Sequence, residues 1–148
     1  MILVDFPSYD FKVQSMHGKD QIFDPCRKKW VVLTPEEWVR QNMLQYLIQV
    51  CKDPIELIAI EKTIQLGSLN KRFDILVYQE TTPWMIIECK EAKTTLNDKT
   101  ILQLLQYQQV LDARFLIASN GPTTIGAEIK MGNLHMLHQF PNYIDPKL

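Results

Sequence analysis

Apolar and polar positions run through this chain with two different periods, and the places where the period changes outline its elements. Residues 1 to 33 hold neither period, with apolar side chains scattered among Pro7, Pro25 and the basic run Arg27-Lys28-Lys29, so an irregular or short-stranded lead-in is expected. Thr34 followed by Pro35, Glu36 and Glu37 predicts a helix start: an N-cap hydroxyl, a proline at the first helical position, and acids at the positive helix end. That helix should run to about Cys51. Val39, Met43, Tyr46, Leu47 and Val50 fall on one stripe, with Glu36 at its N-terminal end, whereas Glu37 points elsewhere. After Asp53-Pro54, residues Ile58, Ile60, Lys62, Ile64 and Leu66 alternate with Ala59, Glu61, Thr63 and Gln65, the period of a half-buried strand, before a turn at residues 67 to 70. Residues 71 to 79 and 83 to 90 are rich in β-formers and separated by Glu80, Thr81 and Thr82, which predicts an antiparallel hairpin. Asn97 and Asp98 can cap a second helix, which Ile101, Leu104, Leu105, Val110 and Leu111 carry to about Asp112. Phe115 to Ala118 reads as a short strand, followed by an Asn120-Gly121-Pro122 turn and a weaker hairpin at 124 to 130 and 134 to 139.

Helix, three strands, helix, strand and β tail make a mixed α/β chain, with a central mixed sheet of four to five strands flanked by helices. One domain is expected, with a lead-in at 1–33, a core at 34–121 and a small β tail at 122–148. The 148 residues, 46% of them apolar, suffice for one buried core. No apolar run approaches the roughly 20 residues of a membrane span. The N-terminus has no basic leader or sustained apolar core, so secretion is not expected. Three cysteines, Cys26, Cys51 and Cys89, lack the spacing of a zinc site or a disulfide framework and fit a reducing cytoplasm. His17, His135 and His138 likewise share no metal-binding spacing. A net charge of -1 supplies no global attraction to a polyanion, so any contact with nucleic acid must be local.

Candidate chemistry lies in the hairpin. If its turn centres on Thr81, Asp74 faces Glu88 across the pair, and strand alternation puts Lys90 on the face of Glu88 while Cys89 points to the other side. Like charges directly opposite each other destabilise a sheet, and a bound cation would remove the conflict. A hard divalent ion takes one or two carboxylates plus water and phosphate oxygens, so Asp74 and Glu88 suit Mg²⁺, with Mn²⁺ as a substitute. Such an ion can activate water and stabilise the extra charge of a phosphodiester under attack, while Lys90 would orient the water or help to deprotonate it. Mutual repulsion should raise one of the two carboxylate pKa values. Arg27, Lys28 and Lys29 beside Trp30 could contact a phosphate backbone and a base, or form a solvated run. Lys71, Arg72, Lys90, Lys93 and Lys99 could form a basic rim, or Lys71 and Arg72 could simply balance the acids. Cys89 reads as a small buried hydrophobe.

The segments Arg72-Phe-Asp-Ile-Leu-Val and Ile-Ile-Glu88-Cys-Lys90 resemble the D…(D/E)xK signature of the PD-(D/E)XK nucleases. Phe23-Asp-Pro-Cys-Arg-Lys-Lys-Trp, Thr34-Pro-Glu-Glu-Trp-Val-Arg40, Gln103-Leu-Leu-Gln-Tyr107 and Ser119-Asn-Gly121 resemble, more narrowly, the N-terminal nuclease domain of type I restriction enzyme R subunits, over about Phe23 to Gly121. The resemblance implies a restriction-endonuclease-like core. It also implies a first-helix acid near the metal, which Glu36 matches and the helical phasing favours over Glu37, and a Q-x3-Y motif, matched by Gln103 and Tyr107. The superfamily's proline is replaced by Phe73. R subunits of this kind continue into a helicase-like motor. No Walker-type phosphate loop occurs in the chain, so it is expected to be a standalone homologue or a single domain without an ATP site. Two functions follow as expectations: Mg²⁺-dependent hydrolysis of DNA, alone or within a restriction-type assembly, or a non-catalytic DNA- or protein-binding module keeping the fold. RNA shares the same chemistry. A nuclease acting alone on duplex DNA should be a homodimer, because one near-neutral domain offers few phosphate contacts.

Overall fold

Left-handed X-Gly turns organise both ends of the chain. The computed structural model describes residues 2–4 and 6–143, and the last five residues of the expected tail lie outside the described residues, as does the side chain of Leu66. His17 and Gly18 both take positive φ (52° and 75°), the conformation of a two-residue hairpin turn, and join β1 (Val13–Met16) to β2 (Lys19–Asp24). Asp24 then folds the chain back, its Oδ1 accepting from the backbone N–H groups of Cys26 and Arg27 at 2.7 Å each, so that β3 (Lys29–Val32) pairs antiparallel with β2. Of the two expectations for residues 1 to 33, irregular or short-stranded, the short-stranded one holds for residues 13 to 32, which form a three-stranded antiparallel sheet. Its strands are short and mostly exposed, which hides the period of two from the sequence.

Helix α1 (Pro35–Gln45) starts at the expected cap, the Thr34 hydroxyl accepting from the Glu37 N–H at 3.0 Å. Val39, Met43 and Leu47 are buried as the stripe requires. Val50 is not, at 49% exposed, because Tyr46–Val50 form a π turn closed by Cys51 N–H to Tyr46 O at 3.0 Å, and the wider turn rotates Val50 off the stripe.

The main sheet has the order β4 (Ile58–Leu66), β5 (Leu69–Gln79), β6 (Thr82–Cys89), β7 (Phe115–Ser119), β8 (Thr124–Lys130) and β9 (Asn133–Met136). Every pairing is antiparallel except β6 with β7, which the crossover helix α2 (Asp98–Leu111) connects. Six strands thus replace the expected four to five. The tail is no appendage, since Met131-Gly132 makes another left-handed turn and β8 and β9 extend the sheet. Helix α1 and the π turn after it cover one face, packing Val39, Met43 and Leu44 of the helix and Leu47 of the turn on Ile75, Val77, Met85, Ile87, Cys89 and Ile117. Helix α2 covers the other with Ile101 and Leu104 against Phe73, Leu76, Ile86, Leu116 and Ala118. A sheet covered on both sides explains why every residue from Trp84 to Cys89 is buried, Glu88 included. The mixed α/β class, with a mixed sheet between helices, is as read from the sequence.

Candidate active site

The hairpin brings Asp74 and Glu88 together by a different route from the one expected. Its turn is Glu80-Thr81, with Gln79 opposite Thr82, a register that would set Asp74 against Ile87. Between Val77 and Tyr78 the register shifts: Tyr78 faces Pro83, but Val77 faces Met85, leaving Trp84 as the extra residue of a bulge. Ile75 then pairs with Ile87, and the next position along puts Asp74 beside Glu88. The two side chains share a hydrogen bond.

Alternation also slips at this level. Phe73 joins the cluster under α2, yet Ile75 joins the one under α1, although both are odd-numbered. On the neighbouring strand Ile58 and Ile60 pack on the α1 side and Ile64 on the α2 side, so the single inward face expected for β4 is broken. Glu61 sits at the break with φ +52°, a left-handed conformation rare for a non-glycine residue within a strand. The kink frees Asp74 from the plain two-face pattern, so that its carboxylate meets groups from α1 and from β6. Oδ1 accepts from Arg40 Nη2 at 3.1 Å, and Oδ2 accepts from the Cys89 backbone N–H at 2.8 Å.

Glu88 is 8% exposed, and its Oε1 has no hydrogen-bond partner among the described residues. Burial, and then the charge of Asp74, push its carboxyl up to about 8, against the opposing pull of Lys90. Lys90 lies just past β6, its N–H donating to Ser119 O at 2.9 Å at the carboxyl ends of the two parallel strands. Asn120 ties the following loop down, donating from Nδ2 to Thr94 O at 2.8 Å. Cys89 is fully buried in the α1-side core, and burial raises its thiol well above the usual range, in keeping with an inert hydrophobe.

The two acids of α1 have different surroundings. Glu36 keeps a half-exposed side chain 3.8 Å from Arg40, and its carboxyl is raised by burial and by Asp74, with Lys90 also acting on it. Glu37 is buried in an ion network, where its Oε1 accepts from Arg27 Nη2 at 2.8 Å and Arg40 Nη1 at 3.0 Å. The Glu37 carboxylate is thus taken up by two guanidinium groups, whereas that of Glu36 is left half exposed beside Arg40. Among the described residues no three His, Cys, Asp or Glu side chains form a ready metal-holding group; Asp74 and Glu88 touch, and Glu36 stands aside. What fits a hard divalent ion is the chemistry of the pair, two adjacent carboxyls, one of them buried with an unpartnered oxygen.

On α2, Gln103 is exposed and hydrogen-bonded to Tyr107. The Tyr107 hydroxyl is raised by burial and then by the negative charge of Glu88 and, more weakly, of Asp74. Its ring packs on Phe73 with centroids 5.3 Å apart, and Lys71 Nζ lies 5.6 Å from its centroid. Arg72 pairs with Glu61, so of the expected basic rim Arg72 balances an acid.

Sequence reasoning missed Arg40 and the true place of Arg27. Arg27 does not belong to a solvated run: its guanidinium binds Asp24, Glu37 and Glu61, while Lys28, Lys29 and Trp30 remain exposed. The available signal was the spacing of Glu36 and Glu37 to Arg40, four and three residues, which puts a cation one helical turn beyond the acids. A cleft of about 480 Å³ opens beside this network, lined by residues that include Trp30, Glu36, Arg40 and Glu61.

A family model described as the N terminus of type I restriction enzyme R proteins matches residues 35–141. Among solved structures, a fragment assigned as an HsdR subunit of a type I restriction enzyme from Vibrio vulnificus YJ016 superposes with a TM-score of 0.44 at 21% identity. The similarity covers 57% of this chain and 19% of that one, so the chain spans about a fifth of its length. No curated protein matches the chain.

Proposed function

The chain belongs to the family of type I restriction enzyme R protein N termini, and from that premise we propose that it is a metal-dependent nuclease module hydrolysing DNA phosphodiester bonds at Asp74, Glu88 and Lys90. The observation that carries the reading is the shared position of Asp74 and Glu88, where a buried carboxyl raised to about 8 keeps one oxygen without a partner. Perturbed acids paired in this way are what a cation-binding reactive centre requires.

Asp74 and Glu88 would hold Mg²⁺ or Mn²⁺, with Glu36 reaching it directly or through water. Bound there, the ion supplies a water nucleophile at neutral pH and stabilises charge on the phosphate. Lys90 would hold the attacking water in line; as its oxygen bonds to phosphorus the water would give up a proton to solvent, while the P–O bond opposite breaks and the leaving oxygen takes a proton from solvent. Tyr107, held by Gln103, positions the phosphate backbone from the α2 side. Glu88 must give up its proton for metal to bind, so affinity rises with pH toward about 8. DNA as substrate, assembly with further subunits and a cytoplasmic setting belong to the same proposal.

A second reading, a binding module that keeps the fold without catalysis, draws on Arg40, whose guanidinium already supplies Asp74 with a positive partner. Calorimetric titration with Mn²⁺ together with cleavage assays on plasmid, linear and single-stranded DNA separates the two. Metal binding and cleavage, both lost in Asp74→Ala, support the nuclease; metal binding without cleavage supports the module.

A further inference from the structure

We propose that Arg27 and Arg40 are positioning residues of the Asp74–Glu88 centre, and that the three-stranded sheet at residues 13–32 is through them a working part of it. The inference rests on the nuclease reading above. Arg40 is almost wholly enclosed, its side chain 5% exposed, and its fork reaches Asp74 Oδ1 at 3.1 Å, Glu37 Oε1 at 3.0 Å and Glu61 Oε1 at 3.2 Å. Arg27 engages the same two glutamates from the other side, Glu37 Oε1 at 2.8 Å and Glu61 Oε2 at 3.1 Å, and anchors on Asp24 Oδ2 at 2.8 Å. Asp24 is itself immobilised, fully buried and accepting from two backbone N–H groups of its own turn and from Gln41 Nε2 at 2.9 Å.

The chain of contacts therefore runs from the turn after β2, through Arg27, Glu37 and Glu61, to Arg40 and the reactive carboxylate. With Arg40 on one oxygen and the Cys89 N–H on the other, the Asp74 carboxylate is held in one orientation, and the contact it makes with the Glu88 carboxyl is the one a ligand would take over. Bulk stability does not require such an array, since buried ion pairs are often replaceable by apolar residues without loss. Fixed geometry at a reactive group does require it, and partners of this kind typically change metal affinity or activity by about 10- to 100-fold when removed. The family match begins at Pro35, so Asp24 and Arg27 stand outside the matched stretch while their contacts reach into it.

The test uses the full chain. Mn²⁺ is titrated calorimetrically into the unmodified protein, Arg27→Gln, Arg27→Lys and Asp24→Asn, with melting curves and cleavage kinetics on the same samples. Arg27→Gln should lose about tenfold or more in Mn²⁺ affinity and in kcat, with KM for DNA little changed. Arg27→Lys, which restores charge but not the fork, should recover part of that loss. Asp24→Asn keeps the acceptor for its turn and should fall by several-fold, and it decides the matter if Arg27→Gln does not fold. Folded variants with unchanged Mn²⁺ affinity and kcat would overturn this inference alone. An unmodified chain that binds no Mn²⁺ would overturn the nuclease reading and this inference with it.

Discussion

Among the described residues, Asp53 and Glu88 are buried acids with carboxylate oxygens that lack hydrogen-bond partners, and only Glu88 stands at the proposed metal centre. Asp53, beyond the π turn, is 4% exposed, with neither carboxylate oxygen hydrogen-bonded, and burial alone pushes it up to about 7. Glu88, at the end of β6, is 8% exposed, has one unpartnered oxygen, and is pushed up to about 8 by burial and then by Asp74. Desolvation treats them alike. The difference is in their neighbours: Glu88 has a second carboxylate in hydrogen-bonding contact and an ammonium close by, whereas Asp53 has no such acid and cation pair acting on it. A perturbed acid marks a candidate site only when the groups around it can share a ligand.

That contrast can be broken most severely at Asp74. Asp74→Ala should abolish Mn²⁺ binding and reduce cleavage by about 100-fold or more, as calorimetry and a plasmid assay would show. Next is Glu88→Gln, which should lower Mn²⁺ affinity by about ten- to a hundredfold while stabilising the metal-free protein at high pH. The folded-state pKa of Glu88 lies above its unfolded value of 4.5, so the contribution of its proton is fully present below about pH 4.5 and is lost as pH rises through about 8. Melting curves of the glutamine variant should therefore lie above those of the unmodified chain at pH 9 and show less pH dependence. Asp53→Asn should give the same thermal signature in a lower window, from the ordinary value of 3.8 to about 7, with no change in metal binding or cleavage. An Asp53→Asn variant with impaired metal binding would erase the distinction between the two acids. The smallest effect is expected of Glu36→Ala: a several-fold drop in Mn²⁺ affinity with a melting temperature within about 1 °C of the unmodified chain, since this side chain is half exposed.

The sequence made the helices and the main hairpin legible because their signals are local. Thr34 and Asn97 cap where their side chains predict, and the 3.6-residue stripe on α1 holds until the π turn. The Asp74–Glu88 pairing was also legible, though two deviations cancel: a turn displaced toward Glu80 and a bulge at Trp84. Neither leaves a mark in the spacing of apolar residues. The face change at Glu61 and Asp74 was hidden for a similar reason, because alternation in sequence continues where the backbone does not. In the N-terminal lead-in short strands were allowed for, but not their bounds or pairing, because they are only four to six residues long and largely exposed. Arg27 and Arg40 were hidden more deeply, since their meaning depends on Glu37, Glu61 and Asp74 arriving from distant parts of the chain.

Calorimetric titration of Mn²⁺ at pH 7, repeated in two buffers of different ionisation enthalpy, bears most directly on the carboxylate pair. One ion should bind per chain and release close to one proton, that of Glu88, and both signals should vanish in Asp74→Ala. Metal binding that releases no proton, or that survives the loss of Asp74, would contradict the assignment of this pair as the metal-holding centre.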